Sequence, residues 1–168
     1  MLYLAYGSNL HPQRLILRAP NVRFIGTTVL DQYRLTFHKR SVDGSSKCHL
    51  DYTENSKDVA FAAVFEIPDH EVVLLDKIEG VGKGYYKQII RVNLNNKVMD
   101  VFVYLASKSY IANDMEPYDW YKGMVLAGAR KHEFPKTYIQ KIAEVKSKYD
   151  PDVNRRIEME NLLVQLEW

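Results

Sequence analysis

The sequence predicts an α+β fold, a small mixed β-barrel or curled sheet of about six strands with flanking helices. Three observations carry this expectation. Apolar runs of strand length recur from residue 2 to residue 105, two short helical stretches are inserted among them, after Leu10 and after Pro68, and helical periodicity takes over after Ser109. With 168 residues and 46% apolar content the chain can build a real core. A single domain over 1–168 is expected, with 150–168 as a C-terminal helix packed on it.

Leu2 to Tyr6 is apolar and aromatic and ends at Gly7, as a buried strand does. From Leu10 to Arg18 a short helix is expected, with Pro12 in its first turn and Ala19-Pro20 as its stop. Val22–Val29 and Tyr33–Phe37 read as strands joined tightly at Asp31-Gln32, which suggests a hairpin. Residues 41–58 have the polarity and turn chemistry of an exposed loop, interrupted by a short strand over Cys48–Tyr52. Val59–Ile67 is strongly strand-like, and Asp69 is placed to cap a helix running to Ile78. Tyr86–Leu94 and Val98–Leu105 meet at Asn95-Asn96, a dipeptide tolerant of positive φ, so a second hairpin is expected. Tyr118–His132 and Lys136–Lys146 follow as helices around Phe134-Pro135. Asp150-Pro151-Asp152 opens a last one, with Ile157, Leu162 and Leu166 facing the body.

Charge excludes several partners. The net charge is +2 with both signs interspersed, so neither nucleic acid nor an anionic membrane is an expected partner. His38-Lys39-Arg40 is the nearest approach to a basic run, and it reads as a solvated strand end. Cys48 is the only cysteine, which fits a reducing, cytoplasmic location, and nothing around it in the sequence would activate the thiol. No apolar stretch approaches the ~18 residues of a membrane span, and residues 1–10 turn polar too early for a signal peptide. The five histidines lack the paired spacings of zinc ligands, so no metal and no cofactor are expected.

Two short segments carry the chemistry. Tyr6-Gly7-Ser8-Asn9-Leu10 takes the chain from a strand into a helix and leaves amides free at the helix start, where a carboxylate or an oxyanion can be received. Gly7 suits either a positive φ or a close approach, while Ser8 and Asn9 have a plainer use open to them as caps. Glu79-Gly80-Val81 sets a carboxylate at the negative end of a helix dipole, a position that favours proton exchange near neutral pH. An exposed surface glutamate is the plainer reading there. Gly80 to Gly84 is not a phosphate loop, because Lys83 is followed by Gly84 and Tyr85 rather than by Ser or Thr. Tyr86 and Tyr104 lie on the last hairpin, where their hydroxyls would orient a ligand if both face one cavity.

These residues resemble the gamma-glutamylcyclotransferases, a family related to the AIG2-like proteins. Tyr6 to Leu10 matches the N-terminal signature, and Leu75-Asp76-Lys77-Ile78-Glu79-Gly80-Val81 matches the segment holding the essential glutamate. Gly84, Tyr86 and Tyr104 fall at matching places, and the similarity runs from Tyr3 to about Val145. The resemblance implies a small mixed barrel and a γ-glutamyl amide substrate, typically a γ-glutamyl amino acid, cyclised to 5-oxoproline with release of the amine. It makes Glu79 the catalytic residue and Tyr6, Gly7, Ser8, Asn9, Leu10, Tyr86 and Tyr104 the substrate-binding set, with no cofactor, in a monomer or homodimer. Residues 41–57 and the helix after Asp150 match no family pattern. A non-catalytic module binding a γ-glutamyl-like ligand is the competing class.

Overall fold

The computed structural model describes residues 1–166. Seven strands are formed: β1 (Leu2–Ala5), β2 (Arg23–Asp31), β3 (Tyr33–Arg40), β4 (Ser46–Tyr52), β5 (Val59–Glu66), β6 (Tyr85–Leu94) and β7 (Lys97–Ala106). Five of them make one sheet in the order β2-β5-β1-β7-β6, and β3 pairs with β4 in a separate two-stranded ribbon. Strand β1 is central, antiparallel to β5 on one side and parallel to β7 on the other. A strand covered on both faces needs apolar side chains at every position, which is why Tyr3, Leu4 and Ala5 form a continuous run.

The five-stranded sheet curls without closing into a barrel. A register shift between Phe24 and Gly26 bends β2, and the hydroxyl of Thr28 donates to the Asn93 carbonyl at 2.7 Å where β2 approaches β6. No ladder joins these two edges. The expected hairpin at Asn95-Asn96 is present, with φ of 52° and 62° and Leu94 opposite Lys97. The one expected at Asp31-Gln32 is absent. Gln32 takes φ 66° and redirects the chain, so β2 joins β5 while β3 leaves to pair with β4. The short strand expected over Cys48–Tyr52 is present, begins two residues earlier at Ser46 and lies against β3, while Ser45 and Ser46 are fully buried rather than exposed.

Five helices flank the strands: α1 (Pro12–Ile16), α2 (Asp69–Glu79), α3 (Asp119–Lys131), α4 (Lys136–Ala143) and α5 (Val153–Leu166). Pro12 opens α1, preceded by a 3₁₀ turn at Ser8–Leu10. Asp69 is the first residue of α2 and not its cap, since Pro68 already ends the extended chain. Gly80 closes α2 in the left-handed conformation. Its amide bonds Lys77 O at 3.2 Å and the Val81 amide bonds Asp76 O at 3.0 Å, so the last carbonyls of the helix are satisfied. Helix α3 buries Tyr121, Val125 and Ala129 as their spacing predicts, whereas α4 ends at Ala143, short of Lys146.

Of the helix expected over 150–168, residues 167 and 168 lie outside the described residues. Leu166 is buried on α5, but Ile157 faces outward. The start of α5 is fixed by Asp150, whose buried carboxylate receives Arg155 Nε and Nη2 at 2.6 Å each and Trp120 Nε1 at 3.0 Å. Arg155 holds this carboxyl down to about 2 against the opposing effect of burial.

Two outcomes are expected. Gly128 on α3 meets the 3₁₀ turn so closely that an added Cβ would lie 2.4 Å from Leu10 Cβ and 2.8 Å from the His11 amide. Gly128→Ala should therefore cost about 1–3 kcal/mol by overpacking, read as a lower melting temperature. Because the Asp150 pKa is depressed on folding, its contribution is complete above 3.8 and is lost as pH falls through about 2. In acid unfolding, the stability gap between the wild type and Asp150→Asn should shrink across that window.

Candidate functional site

At the C-terminal end of β1 the chain enters the 3₁₀ turn, and an open cavity of about 290 Å³ lies beside it. It is walled by Tyr3, Tyr6, Gly7, Ser8, Asn9, Cys48, Glu79, Tyr85, Tyr104 and Tyr121. Gly7 has φ −109°, so its role is space rather than a left-handed turn. A Cβ there would come within 3.1 Å of Cys48 Cβ and 3.4 Å of the Tyr121 hydroxyl. The Leu10 amide is used within the turn, bonding Gly7 O at 3.0 Å. The Ser8 and Asn9 amides precede the first bond of the turn and have no acceptor in it. Neither Ser8 nor Asn9 caps the turn with its side chain.

Asn9 instead ties three groups together. Its Nδ2 donates to Tyr3 Oη at 3.0 Å and to Glu79 Oε1 at 2.9 Å, while its Oδ1 accepts from Arg18 Nη1 at 2.9 Å. Arg18 Nη1 also reaches Glu79 Oε1 at 2.6 Å. Glu79 is thus not the isolated carboxylate that its place on a helix end suggested, because α1 is followed by an arginine that sits on it. Both bonds fall on Oε1. Oε2 has no partner among the described residues, and the side chain is only 16% exposed, so one oxygen is anchored and the other is available to a ligand.

Most of the remaining walls are phenols, and three of them donate their protons to protein acceptors. Tyr6 donates to the Tyr104 carbonyl, Tyr104 to Asp76 Oδ1 at 2.7 Å, and Tyr85 to the Cys48 carbonyl at 2.6 Å, while the Tyr121 oxygen receives the Cys48 amide at 3.1 Å. Burial raises all five cavity tyrosines well above the ordinary phenol value and pushes the Cys48 thiol up to about 12. They stay protonated at neutral pH, and Glu79 supplies the carboxylate of this cavity.

The sequence-predicted set is largely, but not wholly, brought together. Tyr6, Gly7, Ser8, Asn9, Glu79 and Tyr104 line the cavity. Leu10 does not, being fully buried beneath α3 with its carbonyl bonded to His132 Nε2 at 2.7 Å. Tyr86 is 43% exposed and belongs to a groove on the other side of the sheet, beside Tyr33 and Tyr52; Tyr85, 7% exposed, holds the inward place. Strand β6 starts at Tyr85, so the alternation is offset by one from that assumed for Tyr86 and Tyr104. Tyr3, Cys48 and Tyr121 were not expected. Tyr121 was legible as an inward residue of a helix, but no local pattern places that face over Gly7.

An outer vestibule of about 440 Å³ adjoins the cavity, sharing Ser8, Glu79, Tyr85 and Tyr121 and adding Arg18, Lys39, Ser41, Lys47 and Ile78. Lys39 is therefore not at a solvated strand end. It is 7% exposed, with its Nζ 4.5 Å from the Tyr85 ring centroid.

Residues 59–142 match the model of the AIG2-like family, and the chain belongs to that family. It is 27% identical over 164 residues to the Bos taurus gamma-glutamylcyclotransferase, covering 94% of this chain and 85% of that one. It is 26% identical over 150 residues to the Mus musculus gamma-glutamylcyclotransferase, covering 86% and 78%. A solved structure described as a gamma-glutamyl cyclotransferase shares the fold, with a TM-score of 0.84 over 98% of each chain at 24% identity. Among the described residues, no helix is long and apolar enough to cross a membrane.

Asn9→Ala would strip a donor from the buried Tyr3 oxygen and an anchor from both Glu79 and Arg18. A loss of about 1–3 kcal/mol is expected in denaturant unfolding.

Proposed function

We propose that this chain is a gamma-glutamylcyclotransferase, in which the α-amine of a γ-glutamyl amide attacks its own γ-carbonyl to release 5-oxoproline and a free amine. The observation that carries the reading is the half-anchored Glu79 carboxylate in a cavity whose other titratable walls are locked protonated. The two named relatives support it.

The substrate supplies its own nucleophile, so the protein's first task is to fold a flexible chain into a five-membered ring. Confinement between the 3₁₀ turn and the tyrosine walls draws on the ~7–11 kcal/mol that intramolecular orientation can provide. The substrate amine arrives as an ammonium and loses two protons in becoming a lactam nitrogen. Glu79 Oε2 takes the first, freeing the lone pair that forms the new C–N bond. The Ser8 and Asn9 amides are the donors for the oxyanion or the α-carboxylate. When the old C–N bond breaks, Glu79 returns its proton to the departing nitrogen, which leaves as a neutral amine. The second proton goes through water to that amine after release. Arg18 and Asn9 are positioning residues here, and so is Tyr104 through Asp76. The whole chain acts as one domain, with α5 packed on the body.

Glu79→Gln keeps an oxygen for Arg18 and Asn9 but cannot carry a proton. Assayed for 5-oxoproline on γ-glutamyl amino acids, glutathione and γ-glutamyl amines, it should lose about 10²–10⁴-fold in kcat while folding normally. A folded variant with full activity would overturn the assignment.

A further inference from the structure

Three cations border the vestibule, and they are not equivalent. Arg18 is paired with Glu79, and Lys47 donates to Asp43 Oδ2 at 2.7 Å. The Lys39 ammonium makes no hydrogen bond or ion pair among the described residues and lies over the rings of Tyr85 and Tyr110, 4.5 and 5.9 Å from their centroids, although the residue as a whole is only 7% exposed. It also stands directly across the β3–β4 ladder from Lys47, an arrangement of like charges that costs stability. Gly84 makes room for it, since a Cβ at that position would lie 2.9 Å from Lys39 Cε and 3.0 Å from Nζ. Burial lowers its pKa, with Glu79 and Asp43 acting in the opposite direction from farther off. A partly desolvated ammonium that faces the vestibule without an anion is placed to hold one. Arg14 is also buried, but it does not border the vestibule.

Glu79 lies at the junction of cavity and vestibule. The attacking and departing nitrogens share one carbon, so a group that shuttles a proton between them faces both, and the two halves of the substrate diverge from that point. The γ-glutamyl half closes its ring in the inner cavity, and the departing half then projects into the vestibule. Resting on the cyclotransferase reading, we propose that Lys39 is a specificity-determining residue whose ammonium pairs with a carboxylate carried by the departing amine. Lys39 is thus the residue that makes an amino acid or a peptide, rather than an uncharged alkylamine, the preferred departing group. The pairing gives a partly buried charge its counter-ion, and the binding energy it yields is given only to substrates that carry the anion.

The test compares γ-glutamylalanine with γ-glutamylethylamide, which differ by that carboxylate alone. Both are offered to wild type, Lys39→Met and Lys39→Arg, reading 5-oxoproline release and equilibrium binding by calorimetry, with thermal melts to establish folding. Wild type should favour γ-glutamylalanine by about tenfold or more in kcat/KM, mainly through KM. In Lys39→Met the preference should fall to within about twofold, and in Lys39→Arg it should largely return. The melting temperature of Lys39→Met should be no lower than that of wild type, since an unpaired buried charge has been removed. An unchanged preference in Lys39→Met overturns the inference and leaves the cyclotransferase standing. A loss shared equally by both substrates also overturns it, and assigns Lys39 to the γ-glutamyl half. Lys39-dependent binding of γ-glutamylalanine without turnover would uphold the anion site while ending the cyclotransferase reading, and equal binding of both probes by all three proteins without turnover of either would end both.

Discussion

One amide side chain holds the site in register. Asn9 leaves the central strand through a tight turn, and its two polar ends engage a phenol, a carboxylate and a guanidinium that come from β1, α2 and the end of α1. Glu79 is 70 residues away from Asn9 in the chain, and this bond is what converts a helix terminus into a fixed wall of a cavity. Because Arg18 and Asn9 both address Oε1, the carboxylate has one rotamer in which its anchored and its free oxygen are distinguished. Each supporting element is in turn immobilised at its own end: the turn by α3 through Gly128, and α2 by the left-handed Gly80.

How much of this could be read in the sequence followed the range of the interactions involved. Features decided within a few residues were legible: the doubly buried run of β1, the Asn95-Asn96 turn, Pro12 at a helix start, Gly80 after Glu79. The segment Tyr6–Asn9 and Glu79 were identifiable as a pair through family resemblance, and they do border one cavity. Strand pairing was the first thing to escape. Asp31-Gln32 has the composition of a hairpin turn, yet the competition between β3 and β5 for β2 is settled by the long apolar face of β5, which no local pattern weighs.

Parity was the second. Choosing Tyr86 over Tyr85 is a slip of one residue, and in a strand one residue exchanges the two faces. Both tyrosines have the same propensity, so only the register with β7 and the bond from Tyr85 to the Cys48 carbonyl decide between them. Lys39 escaped for the same reason in reverse: within a basic triplet the middle residue points inward, and the polarity of its neighbours hides it. The contribution of β4, through Cys48 and Lys47, was hidden by the loop-like chemistry on both sides of it.

The β3–β4 ribbon is a separate sheet, attached to the five-stranded body through side chains and turns such as the Ala106 amide on His49 Nδ1 and the Ala112 amide on the His38 carbonyl. It carries the outer wall of the vestibule but none of the residues that anchor Glu79. In evolutionary terms the fold therefore separates two burdens. Mutations in the ribbon can reshape the vestibule without breaking the Asn9 and Arg18 bonds to Glu79, so that wall can vary while the central strand and the helix end stay as they are.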